Sequence, residues 1–166
     1  ISLIGMHLQR AVEEPDNLAA RSGMSLAATL AGAAFSSCGV SLAHALEYPI
    51  GSTYRCSHGV GNGIVLPEVM RYWLPARQPR LAKIAAMMGV PSAREMSERE
   101  AAEAAIAAIE SLRKSIGLPT CLREVGARPV DVDGLATSAM ALSRLLELSP
   151  VACTVDNART ILNACM

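Results

Sequence analysis

These 166 residues predict an all-helical, multi-helix bundle with no sheet. Three observations point that way. Aromatics make up only 3% of the chain while alanine and leucine abound, a composition that favours helix over strand. Apolar residues return at three- and four-residue steps. The runs are also bounded by capping residues, prolines and glycines where helices would start and stop. About seven or eight helices are expected.

Ser2 to Glu13 reads as an amphipathic helix, with Leu3, Ile4, Leu8, Ala11 and Val12 on one face and His7 among them as a partly exposed residue. Pro15 and Asp16 suit the start of the next helix. That helix runs towards Phe35 and is apolar on most sides, so a core position is expected. Ser36, Ser37 and Gly39 interrupt it. A third helix, Val40 to Leu46 or slightly beyond, should stop at Pro49. Tyr54 to Ser57 is a link, with Ser57 an N-cap for a helix from His58 that Pro67 should kink or restart. Trp73-Leu74-Pro75 should end that unit, and Gln78 to Met88 forms another helix closed by Gly89. Ser97 to Ser115 carries the clearest signal, since Ser97 and Glu100 have capping-box spacing. Gly117 and Pro119 stop it. A helix from Asp131 or Asp133 to Leu146 ends before Ser149-Pro150, and Thr154 caps the last, Val155 to Ala164.

The length suits one domain, 1–166, with a single core. With 15 basic and 15 acidic residues and no basic cluster, nucleic-acid binding by phosphate neutralisation is not expected. The run from Met24 to Val40 is too interrupted by polar residues for a membrane span, and no signal peptide is visible. Five scattered cysteines without CxxC spacing argue for reduced thiols in a cytoplasmic protein, with Cys38 and Cys56 read as small core thiols. The Gly59, Gly61 and Gly63 cluster is not a phosphate loop, because no strand precedes it.

Two of the three histidines, His44 and His58, lie 14 residues apart. That is too far for one helical face, but suits two ligands on consecutive helices that fold back on each other. Imidazole is the commonest protein ligand of first-row metals. On residue type and spacing alone, however, a buried helix histidine and one near a helix start is the favoured reading of the pair, because a catalytic metal normally needs three or more protein ligands.

Ala43-His44-Ala45, Tyr48-Pro49-Ile50-Gly51, and Ser57-His58-Gly59-Val60-Gly61-Asn62-Gly63 through Leu66-Pro67 resemble, in order and spacing, the signature of the iron-containing (group III) alcohol dehydrogenases. Asp16 to Ser36 resembles the long small-residue helix that precedes this signature, and Thr154 to Met166 the family's last helix. The resemblance implies the family's C-terminal helical domain, of dehydroquinate synthase-like fold. The N-terminal nucleotide-binding α/β domain has no counterpart in these residues.

It further implies a divalent iron, or zinc, held by one aspartate and three histidines. His44 and His58 match the last two histidines, while the aspartate and the first histidine would lie before Ile1. NAD or NADP would be bound by the missing domain, and a small alcohol or aldehyde would be the substrate. Tyr48 stands where many members carry a histidine and is the candidate catalytic residue. A phenol can donate a hydrogen bond to a substrate oxygen but shuttles protons poorly near neutral pH. Glu47 is expected to be solvated or salt-bridged. The other reading is a non-catalytic helical interaction domain or a degenerate fragment, and a metal sensor has little support because the cysteines lack ligand spacing. As a fragment, the chain would bind metal poorly, turn over no alcohol, and expose an apolar face that makes a homo-oligomer plausible.

Overall fold

The computed structural model describes all residues, 1–166. Eight α-helices and two short 3₁₀ turns account for its regular structure, and it has no strand. The helices are α1 (Ser2–Glu13), α2 (Leu18–Cys38), α3 (Leu42–Tyr54), α4 (His58–Met87), α5 (Glu98–Ser115), α6 (Val132–Met140), α7 (Ser143–Leu146) and α8 (Val155–Ala164). No single helix is long and apolar enough to cross a membrane. The chain forms two compact units, one of residues 1–39 and 77–117, the other of residues 40–76 and 118–166.

In the first unit α1 packs along α2, and Ala85 in the last turns of α4 clusters with Ala101 and Ala105 of α5 and with Ala93 of the intervening turn. Alanines let these backbones approach closely. The α5 start follows its sequence signal: the Ser97 hydroxyl accepts from the Glu100 backbone N–H, and the Glu100 carboxylate accepts from the Ser97 N–H at 2.9 Å. That hydrogen bonding holds the Glu100 carboxyl below its usual pKa range.

The second unit holds the larger core. Leu42, Leu46 and Ile50 of α3 pack with Ile64, Val65 and Val69 of α4, Leu122, Leu135 of α6, and Ile161 and Leu162 of α8. Tyr72 donates to the Ala152 carbonyl at 2.5 Å and Trp73 Nε1 to Ser149 Oγ at 3.2 Å, tying the same stretch of α4 to the chain before α8. Thr154 caps α8 in a capping box with Asn157.

Several boundaries differ from those predicted. Pro15 and Asp16 lie in a turn, and α2 starts after Asn17, whose side chain accepts from Ala20 N–H at 3.0 Å. The helix then continues through Ser36 and Ser37, whose hydroxyls bond back to the carbonyls of Gly32 and Ala33 and so do not compete with the helix from outside it. Nor is α2 a core helix. Only Ala20 and Ala27 are buried, while Leu18, Leu26, Leu30 and Phe35 are exposed.

Pro49 does not stop α3, which runs on to Tyr54. Its ring removes one backbone hydrogen bond at about 3 kcal/mol. Full burial of Leu42, Leu46 and Ile50 offsets that, at about 1.5–3 kcal/mol each. Pro67, itself fully buried, is likewise absorbed. The break in α4 comes at Arg77 (φ −133°, ψ 19°), not at Trp73-Leu74-Pro75. Pro75 and Pro79 remove donors from two successive turns, and the helix comes apart between them. The helix expected from Asp131 or Asp133 to Leu146 is two helices, parted by the non-helical Leu142 (φ −90°, ψ 59°). No proline or glycine marks that break.

Candidate metal centre

The site is built on two helices of the second unit. His44 sits in the first turn of α3, where its neighbours Ala43, Ala45 and Leu46 are buried and fix the helix face it occupies. Arg55, in the left-handed conformation (φ 52°), ends α3 and turns the chain back within three residues. His58 is then the first residue of α4. The two rings meet, with centroids 5.1 Å apart and planes inclined by 52°. Tyr48, one turn on from His44, stands 6.3 Å from that ring and 6.1 Å from His58. The three predicted side chains therefore form one cluster. Tyr48 is 44% exposed and lines an open groove of about 730 Å³ shared with Ser52, Thr53, Asp131, Gly134 and Ser138.

Of the two states expected for Glu47 the structure has the ion pair and not the solvated one: the residue is 2% exposed, the one charged residue in the core, and its Oε2 lies 2.6 Å from His58 Nδ1. Two glycines make its pocket. A Cβ on Gly61 would come within 2.7 Å of Glu47 Cγ, and one on Gly51 within 2.7 Å of Oε1. The signal was present as a carboxylate inside an apolar run, with glycines at the facing positions, but only the fold shows that these positions face one another.

Asn62 Nδ2 lies 3.2 Å from His58 Nε2 and 3.4 Å from Nδ1. No in-plane position is that close to both nitrogens without striking Cε1, so the amide rests on the ring face. The in-plane lone pair at Nε2 stays open. Burial holds the His44 pKa below the usual imidazole value, with the nearby His58 charge adding to this and Glu47 opposing it. Neutral imidazole is the form that binds metal. Cys56 is held up as a neutral thiol, first by burial and then by the Glu47 charge, which suits a packed thiol and not a ligand. Cys38, expected in the core, is exposed at the end of α2, where the interior does not reach.

No group of three or more His, Cys, Asp or Glu side chains is placed to hold an ion. The donor set fits half of an iron or zinc site: two converging imidazoles, one favoured neutral and the other with a carboxylate behind it.

The model of the Fe-containing alcohol dehydrogenase family, C-terminal part, matches residues 1–166. The chain belongs to this family. It is 40% identical over 140 residues to the 1,3-propanediol dehydrogenase of Klebsiella pneumoniae, covering 84% of this chain and 36% of that protein. It is 33% identical over 164 residues to the NAD-dependent methanol dehydrogenase of Bacillus methanolicus, covering 99% of this chain and 43% of that one. The solved alcohol dehydrogenase from Oenococcus oeni superposes with a TM-score of 0.94 at 32% identity, over 99% of this chain and 43% of that one. The chain thus spans well under half the length of these Fe-containing alcohol dehydrogenases, and corresponds to their all-helical C-terminal part.

Proposed function

We propose that residues 1–166 are the metal-binding helical part of a larger cytoplasmic NAD(P)-dependent alcohol dehydrogenase or aldehyde reductase, with His44 and His58 as two ligands of a divalent iron or zinc. The supporting observation is the meeting of the two rings, 5.1 Å apart, from different helices in a chain of the Fe-containing alcohol dehydrogenase family. An aspartate and a third histidine from the preceding part of the enzyme complete the ligand set, and the same part binds the nicotinamide.

When bound, the ion supplies Lewis acidity that polarises the substrate oxygen for hydride transfer at its carbon. The chain's own residues do the rest. His44 and His58 present their ring nitrogens from two helices that meet. The Tyr48 phenol, at the mouth of the groove, donates a hydrogen bond to the substrate oxygen and sets the side from which a small alcohol or aldehyde enters.

The test is iron and zinc content, with NAD- and NADP-linked oxidation of 1,3-propanediol and methanol, in an enzyme that joins these residues to the family's nucleotide-binding half. Near-stoichiometric metal and turnover, both lost in His44→Ala and His58→Ala, are expected. Metal retained in both variants would refute the ligand assignment.

A further inference from the structure

Glu47 is an anomaly on energetic grounds. A carboxylate taken out of water is destabilising unless it is paired and hydrogen-bonded. Here the side chain is 3% exposed and is paired with His58, whose side chain is 59% exposed. The buried group gains little from an exposed imidazole as a matter of folding stability. Both helices nevertheless leave room for it: α3 through Gly51, one turn after Glu47, and α4 through Gly61, three residues after His58. Alanine at Gly61 would collide with the middle of the Glu47 side chain.

We infer that Glu47 is a positioning residue. Its carboxylate accepts a hydrogen bond from His58 Nδ1–H, locking the tautomer that carries its lone pair on Nε2 and aiming that nitrogen towards the point His44 also faces. The position of Asn62 supports this, since it contacts the ring face and leaves the Nε2 lone pair unclaimed. Without such an acceptor, neutral imidazole prefers its proton on Nε2, which would block that nitrogen. A carboxylate behind a metal-binding histidine fixes ring orientation and raises ligand basicity. The inference rests on the metal reading above for its purpose, but its geometry can be tested without metal.

The experiment records ¹⁵N–¹H correlation spectra of the metal-free chain with labelled histidine, above the imidazole titration range, followed by zinc titration against a chromophoric chelator in the enzyme that joins these residues to the family's nucleotide-binding half. His58 in the unsubstituted chain should be the Nδ1–H tautomer. Glu47→Ala should return it to a mixture dominated by Nε2–H and weaken zinc binding about 10–100-fold. Glu47→Gln, whose amide oxygen still accepts, should largely keep the tautomer, and Gly61→Ala should lose it with the carboxylate chemically intact. An Nε2–H tautomer in the unsubstituted chain overturns the inference, and so does a Glu47→Ala chain with unchanged tautomer and zinc affinity. If Glu47→Ala does not fold, the tautomers of the unsubstituted chain and of Glu47→Gln decide. The two readings fail separately. Correct tautomers with no zinc bound sink the metal reading and leave Glu47 as the positioning residue. Zinc bound equally well with and without Glu47 does the reverse.

Discussion

Helices α2 and α3 are equally apolar in composition, yet one is almost wholly exposed while the other buries a full face in the core. In α2 only two alanines are buried and leucines stand in solvent. In α3 six residues are buried, and one of them is a glutamate. Apolar composition states that a helix has a face to cover and says nothing about what covers it. The difference also separates two uses of small residues. In α2 Gly32 has open space around it, whereas Gly61, on the α4 stretch facing α3, makes room for the Glu47 side chain.

The sharpest way to break the comparison is to truncate one leucine on each helix. Leu46→Ala, in the fully buried row of α3, should destabilise the protein by about 2–5 kcal/mol. Leu30→Ala, 54% exposed on α2, should change stability by no more than about 0.5 kcal/mol. Urea unfolding of the two variants measures both. A large loss at Leu30 would mean that α2 is covered in solution and that the contrast does not hold.

Legibility followed chemistry of short range. The α5 and α8 starts were readable because a capping box is complete within four residues, Ser97 to Glu100 and Thr154 to Asn157. Gly89 and Gly117, both at positive φ, likewise announced their stops. Pro49 and Pro67 misled because the penalty of a proline is local while the burial that outweighs it comes from residues far along the chain. The split at Leu142 carries no local signal at all. At the site, His44, Tyr48 and His58 could be picked out because the stretch that carries them resembles the family signature in order and spacing. Glu47 could not, because its partner, His58, and one of its two glycines, Gly61, lie on another helix.

Glycine substitutions sharpen the comparison at smaller scale. Gly61→Ala should destabilise by about 1–3 kcal/mol, because its Cβ meets a buried side chain with nowhere to go. Gly32→Ala, in the interior of α2 with nothing within 4 Å, should stabilise by about 0.5–1 kcal/mol. Thermal denaturation midpoints moving in opposite directions are expected, and a fall in both would show that α2 packs tightly somewhere.

Acid should act on the α3 site in a defined direction. The folded-state pKa of His44 is lowered from the ordinary 6.5, so the unfolded chain binds the proton more readily. The His44 contribution is therefore constant above that value, and stability falls as pH drops from about 6.5 through the lower folded-state pKa. The drop in urea midpoint between about pH 7.5 and about pH 5 should be smaller in His44→Gln than in the unsubstituted protein. An equal drop would mean that His44 is not shielded from protonation.

The central claim is that His44 and His58 share one ion. The most direct measurement is the metal content of the enzyme that carries these residues together with the family's nucleotide-binding half, in unsubstituted form and with each histidine replaced by alanine. Near-stoichiometric iron or zinc is predicted for the first. Either replacement should weaken metal affinity by more than the roughly 10–100-fold expected for an outer-shell residue, with turnover falling in parallel. Full metal content after replacing both histidines would contradict the account.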